Sequence, residues 1–106
     1  MDTTRIKYLF LILKGEYFDE ILAGRKPEEF RAVTEYWKRR IEGREYETIL
    51  FQRGYRSDAP RMEVEYLGYD IKQLTHKHFG DQETPVYALK LGEIKWHSIP
   101  EKTLST

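Results

Sequence analysis

A chain of 106 residues with 40% hydrophobic and 34% charged content has the size and composition of one globular domain, residues 1–106, with a heavily solvated surface. Its 18 basic and 18 acidic residues cancel, which excludes a protein that is drawn to nucleic acid by net charge alone. The absence of cysteine excludes a disulfide scaffold and fits a cytoplasmic protein, and no apolar run approaches the roughly 20 residues that cross a bilayer, so we expect no membrane partner.

The first half of the chain predicts a strand, a helix, a second strand and a second helix. The nearly continuous apolar run of Lys7–Lys14 indicates a strand that is buried on both faces. Gly15–Ala23 has the i, i+3, i+4 apolar spacing of a short helix. The alternation over Glu28–Val33 predicts a strand, and Thr34 is a suitable N-cap for a helix that ends at Gly43.

The second half predicts mainly strands. Glu47–Gln52 is rich in strand formers, and Met62–Tyr66 alternates between apolar and acidic residues, with Gly68 as a bulge or bend. Val86–Trp96 is the last long strand, and Gly92 should kink it. We therefore predict an α+β fold in which five to six strands curl into a small β-barrel, with both helices near the N-terminal half.

Three charged residues meet where the first helix passes into the second strand. Lys26 lies in the connecting loop, while Glu29 and Arg31 share one face of the strand because alternate residues of a strand point the same way. One ligand should therefore be able to touch all three side chains. From the residues alone, an ion-pair cluster that pins the loop to the strand is the more common explanation.

Two further groups of side chains are candidates for core or ligand roles. In the second helix Trp37 and Ile41 should be buried, whereas Tyr36 could face the core or a ligand. His76 and His78 would share one face of a strand, but the sequence shows no third candidate metal ligand to accompany them. We therefore expect no metal and no cofactor.

Four stretches of the chain resemble the ASCH domain, a family in the PUA-like superfamily of small β-barrels that is associated with RNA binding. They are LKGEYFDEILAGRKPEEFRAV, EYWKRRI, ILFQRGY and PRMEVEYLGY, and together they extend from about Leu13 to Leu91. The most specific parts are the Ile-Leu-x-Gly-x-Lys run, which Glu29 and Arg31 follow, and the turn that contains Gln52, Gly54 and Tyr55.

The resemblance implies a cleft that is floored by barrel strands and roofed by the two helices. In such a cleft Lys and Arg would neutralise phosphate, Glu would accept from an exocyclic amine, and an aromatic ring would stack on a base. The implied ligand is RNA, another single-stranded nucleic acid or a nucleotide-like small molecule. The ligand-binding residues that it implies are Lys26, Glu29, Arg31, Gln52, Gly54 and Tyr55. Tyr36 is added to them as an aromatic candidate.

The family also suggests an enzymatic alternative. Some ASCH-like proteins hydrolyse acyl groups from N4-acylcytidine with a Thr three residues after the motif Lys, and another is a ribonuclease. Here Glu29 occupies the Thr position and has no hydroxyl, which argues against the amidohydrolase. The alternatives are thus a hydrolase acting on RNA or modified nucleosides, with Lys26, Glu29 and Tyr55 as candidate catalytic residues, or a protein-interaction module with a vestigial cleft.

Overall fold

The computed structural model of the protein describes residues 7–75 and 82–99. These residues form an α+β fold of two helices and five strands, which confirms the predicted class and both helices. The predicted strands are all present, and the fourth extends beyond the predicted Tyr66. In chain order the elements are β1 (Tyr8–Leu13), α1 (Gly15–Leu22), β2 (Glu28–Ala32), α2 (Glu35–Ile41), β3 (Thr48–Arg53), β4 (Arg61–Leu74) and β5 (Thr84–His97).

The five strands form one mixed sheet in the order β1-β3-β4-β5-β2. β1 runs parallel to β3, and the other neighbours are antiparallel. Among the described strands β1 and β2 are the edges of this sheet, so the predicted closed barrel is not confirmed. The sheet nevertheless curls far enough for an Arg31 Nη atom of β2 to donate to the carbonyl oxygen of Ile12 in β1, at 3.3 Å. One side chain thus bridges the two edges.

The hydrophobic core lies on the inner face of the sheet, which we define as the face that both helices cover. Alternate residues of the strands point to this face, as the period of two requires. Phe18 and Ile21 of α1 and Ile41 of α2 join the same cluster of buried side chains. The strands contribute Leu9, Leu11, Leu13, Ile49, Phe51, Met62, Val64, Tyr87 and Leu89.

β1 differs from the prediction that it is buried on both faces. Leu9 and Leu11 are buried, but Tyr8 is 51% exposed and Phe10 is 41% exposed on the opposite, outer face. The reason is that both helices cover the inner face. Phe10 is accompanied there by the guanidinium of Arg61, whose Cζ lies 5.4 Å from the ring centroid.

α2 begins at the predicted cap. The Thr34 hydroxyl accepts a hydrogen bond from the Trp37 amide at 3.3 Å, and Gly43 follows the helix with φ of 73°. Ile41 is fully buried as predicted, whereas Trp37 is only partly buried and packs against the edge of the core. No helix within residues 7–75 and 82–99 is long and apolar enough to span a bilayer.

The long hairpin of β4 and β5 contains the predicted irregularities. The register passes from Val64 opposite Ile94 to Tyr66 opposite Leu91, so two residues of β5 face one residue of β4. Gly92 is one of the two. A Cβ at Gly92 would collide with the carboxylate of Glu65 in its present position, so the side chain of Glu65 would have to move to admit one. The bulge predicted at Gly68 of β4 is also present, and Gly68 has φ of 102°.

Candidate functional site

The loop between α1 and β2 places Lys26 over the inner face of the sheet. α1 ends at Leu22, and Gly24 with φ of 81° turns the chain away from the helix axis. Pro27 cannot continue a helix, and its carbonyl accepts a hydrogen bond from the Leu91 amide at 3.0 Å. The loop is thereby tied to β5, next to the bulge.

Glu29 is the centre of the charged cluster. It is paired with Leu89 in the sheet register, so its side chain points to the inner face, and it is 5% exposed. Arg31 Nε donates to Glu29 Oε2 at 3.2 Å, and Arg31 Nη2 forms an ion pair with the same oxygen at 3.0 Å. Lys26 Nζ lies 3.7 Å from Oε1 of the same carboxylate. The three charged residues that the sequence placed near one another are therefore adjacent.

The guanidinium of Arg31 is occupied by contacts within the protein. Besides Glu29 it reaches the carbonyl of Ile12 across the open seam of the sheet. Its Cζ lies 4.9 Å from the centroid of the Trp37 ring, and 18% of the side chain is exposed. These contacts make Arg31 the residue that fixes the Glu29 carboxylate and joins β2 to β1 and α2.

The ammonium group of Lys26 is held differently. Its 3.7 Å separation from Glu29 is longer than a charge-assisted hydrogen bond of about 2.8 Å. Two aromatic rings approach the ammonium, Phe30 at 4.7 Å and Tyr17 at 5.6 Å from Nζ to the ring centroid. The Lys26 side chain is 19% exposed, about as much as that of Arg31, but its contact with Glu29 is longer and it also lines a pocket. Lys26 is therefore the member of the cluster that is best placed to meet a ligand.

A pocket of about 330 Å³ opens beside Lys26. It lies between the end of α1 with its following loop and the inner face of β4 and β5, where the bulge at Gly92 forms part of its lining. Of the described residues that line it, Lys26 is the one with a charged side chain. The apolar walls come from Ile21, Pro27, Val64, Leu91 and Ile94.

The Glu29 carboxyl has an altered proton affinity. Burial raises the pKa of Glu29 above its usual value, and the charges of Arg31 and Lys26 only partly oppose this effect. The pKa of Tyr17 is also raised, first by its own burial and then by the charges of Glu16 and Glu29. A buried carboxyl with a raised pKa beside a cation is found both at proton-transfer sites and in structural ion pairs.

We expect the stability of the protein relative to a Glu29→Gln variant to fall as the pH rises from about 4.5. Because the folded state holds the Glu29 proton more tightly than the unfolded state, the stabilisation from this proton is lost as the pH passes through the raised pKa. The slope should be at most about 1.4 kcal/mol per pH unit. Urea denaturation of both proteins across this range measures the difference. A difference that grows with pH would mean that the folded-state pKa is lowered instead.

Gln52 does not join the cluster. It follows Phe51, whose side chain is on the inner face, and therefore points to the outer face, away from Glu29. There its Nε2 donates to the Gly54 carbonyl at 2.8 Å, and its Oε1 accepts from Arg61 Nε at 3.0 Å. Gln52 thus holds the turn between β3 and β4 rather than a wall of the pocket.

The turn itself borders the cluster through backbone contacts. Gly54, with φ of 84°, donates from its amide to the Leu13 carbonyl at 2.8 Å. Arg31 donates to the carbonyl of Ile12, the residue before Leu13 in β1. Tyr55 follows and is 86% exposed. Its predicted stacking role stays a prediction, since an exposed ring is available to a base but does not line the pocket.

Tyr36 faces solvent rather than the pocket. It is 56% exposed, and its ring meets Trp37 edge-on at 4.9 Å between centroids. The guanidinium of Arg40 lies 3.6 Å from its centroid on the outer side of α2. The aromatic residue of α2 that contacts the charged cluster is therefore Trp37, through Arg31.

Sequence reasoning missed Tyr17 and the wall formed by Leu91 and Ile94. Tyr17 has a helical signal, because it lies four residues before Ile21 on the same face of α1. The wall has none, because it depends on strand pairing across the bulge. His76 and His78 lie outside the described residues, and the described ranges contain no group of three or more side chains suited to a metal ion.

Comparison of the chain with protein-family models, with curated proteins and with solved structures found no match. The resemblance to the ASCH domain therefore stays an expectation from the motifs around Lys26 and Tyr55.

Proposed function

We propose that this protein is an ASCH-type, PUA-like domain that binds a nucleotide unit, either free or within single-stranded RNA, in the pocket beside Lys26. The observation that carries this proposal is the meeting of one accessible cation with an apolar pocket of about 330 Å³. That volume is at the lower end of small-molecule sites, which suits one nucleotide rather than a longer stretch. The curl of the sheet, which brings Arg31 to Ile12, supports the barrel-like relationship.

The pocket offers each part of a nucleotide a suitable neighbour. The ammonium of Lys26 would pair with phosphate, because a compact cation with three donors is well suited to an anionic oxygen. Leu91 and Ile94 would pack against the face of the base. Tyr55, exposed on the neighbouring turn, would stack on the next base of an RNA chain.

Binding of a short single-stranded RNA should depend on Lys26 and not on every surface lysine. We expect Lys26→Ala to weaken binding by about tenfold to a hundredfold, as the loss of a charge-assisted contact implies. It should also make the slope of log affinity against log salt shallower by about 0.7, the value for one phosphate contact on a single strand. Titration at several salt concentrations, followed by fluorescence anisotropy, measures both quantities.

Lys38→Ala is the matched control, because Lys38 is an exposed lysine on the outer side of α2. It should change affinity little. In the same titration Tyr55→Ala should weaken RNA binding by about 1–3 kcal/mol and leave the salt slope unchanged. An unchanged affinity of Lys26→Ala would exclude the pocket as the nucleotide site.

A hydrolase is the second candidate, and the buried Glu29 carboxyl favours it. A carboxyl with a raised pKa beside Lys26 can act as a general acid or base, with water rather than a side chain as the nucleophile. If this function is correct, Glu29→Gln should abolish turnover of N4-acylcytidine or of a short RNA while binding persists. Equal turnover by the wild-type protein and by Glu29→Gln would exclude the Glu29 carboxyl from the chemistry.

The interaction-module alternative has a separate observation in its favour. Phe10 and Trp96 lie on the outer face at opposite ends of one cross-strand row, and each is more than two-fifths exposed. A protein partner would be expected to use this face rather than the pocket, because exposed aromatic rings offer apolar surface for association.

A further inference from the structure

We infer that Glu29 is a built-in counter-anion that restricts the pocket to ligands carrying a single negative charge, so that an internal phosphodiester is preferred to a terminal phosphate. This inference rests on the proposed function and names its ligand class. It depends on the arrangement of Lys26, Glu29 and Arg31, and on the position of Lys26 in the pocket lining.

The first step is the charge of the cluster. Burial favours the protonated form of Glu29, whereas its ion pairs with Arg31 and Lys26 and a pH of about 8 favour the ionised form. With Glu29 ionised, the two cations and one anion leave a net charge of +1 beside the pocket. Arg31 cannot add its charge to a ligand freely, because its guanidinium donates to Glu29 and to the Ile12 carbonyl and lies over Trp37. One positive charge, on Lys26, is therefore left for a ligand.

The second step is the distance from a bound anion to Glu29. Lys26 Nζ is 3.7 Å from Glu29 Oε1, and a ligand oxygen would lie about 2.8 Å from the same ammonium. The ligand oxygen is then within about 6.5 Å of the Glu29 carboxylate. A second negative charge on the ligand doubles the repulsion from this carboxylate and also doubles the attraction to Lys26. The cost of taking the anion out of water grows faster, roughly with the square of its charge, and the repulsion from Glu29 removes part of the attraction that would offset that cost.

The third step is that Glu29 cannot move away from the ligand. Glu29 is 5% exposed, and its carboxylate contacts Nε and Nη2 of Arg31. Arg31 in turn contacts β1 and α2. Lys26 is likewise bounded by the rings of Phe30 and Tyr17. The repulsive carboxylate is thus a fixed part of the site, and discrimination by a fixed like charge is a general route to specificity.

The test compares three uridine probes at about pH 8, where a terminal phosphate is close to dianionic. The probes are uridine, uridine 5′-methylphosphate with one negative charge, and uridine 5′-monophosphate with about two. The wild-type protein should bind the methylphosphate at least as tightly as the monophosphate. Glu29→Gln should raise the affinity for the monophosphate about tenfold more than that for the methylphosphate. Isothermal titration calorimetry supplies these dissociation constants.

Lys26→Met serves as the companion variant and should reduce the affinity for both anionic probes toward that for uridine. The wild-type comparison needs no variant, so the inference stays testable if Glu29→Gln does not fold. Tighter wild-type binding of the monophosphate, with Lys26-dependent binding of both anions, would overturn this inference and leave the proposed function standing. Failure of all three probes to bind would overturn both.

Discussion

Replacing Arg31 by alanine is expected to lower the free energy of unfolding by about 3 kcal/mol or more at neutral pH. The substitution removes the hydrogen bond and the ion pair to the buried Glu29 carboxylate, and the hydrogen bond to the Ile12 carbonyl. Lys26, 3.7 Å from the carboxylate, would be its remaining charged partner in the cluster. Uptake of a proton by Glu29 would limit the loss. Urea denaturation at constant pH measures the change.

Arg39→Ala is the matched control for this prediction. Arg39 also pairs with a glutamate, Glu35 at 3.3 Å, but 75% and 69% of the two side chains are exposed. Its loss should change stability by about 0.5 kcal/mol or less. Replacing Arg31 and Glu29 together by methionine should recover much of the stability that Arg31→Ala loses, because no unpaired buried charge remains. Equal losses of unfolding free energy for Arg31→Ala and Arg39→Ala would show that burial does not strengthen the pair of Arg31 and Glu29.

Ile41→Ala should destabilise the protein by about 2–5 kcal/mol. Ile41 is fully buried, and it is the residue through which the seven-residue α2 packs into the core. A cavity at this position would loosen the helix that supports Arg31 through Trp37. Thermal and urea denaturation of the variant measure the loss.

Tyr36→Ala provides the comparison within the same helix. Tyr36 is larger than Ile41 but 56% exposed, and its contacts are the edge of Trp37 and the guanidinium of Arg40. Its removal should cost less than about 1.5 kcal/mol, the upper range for such an aromatic contact. A larger loss for Tyr36→Ala than for Ile41→Ala would mean that α2 is held by its outer side and not by the core.

The sequence by itself determined the features that depend on neighbouring residues. Gly24 and Pro27 fix the end of α1 because one favours a positive φ and the other cannot continue a helix. Glu29 and Arg31 share a face because a strand has a period of two. Thr34 caps α2 because its hydroxyl can reach an amide three residues ahead.

The tertiary structure decided the features that depend on pairing between distant segments. The period of two made Phe10 and Leu11 alternate, but whether the Phe10 face was covered depended on where the helices packed. The same alternation sent Gln52 to the outer face once Phe51 had entered the core. The pocket required Lys26 to meet the bulge of β5, more than sixty residues away along the chain. Local preferences cannot specify such a contact, because it exists only after the strands have found their partners and register.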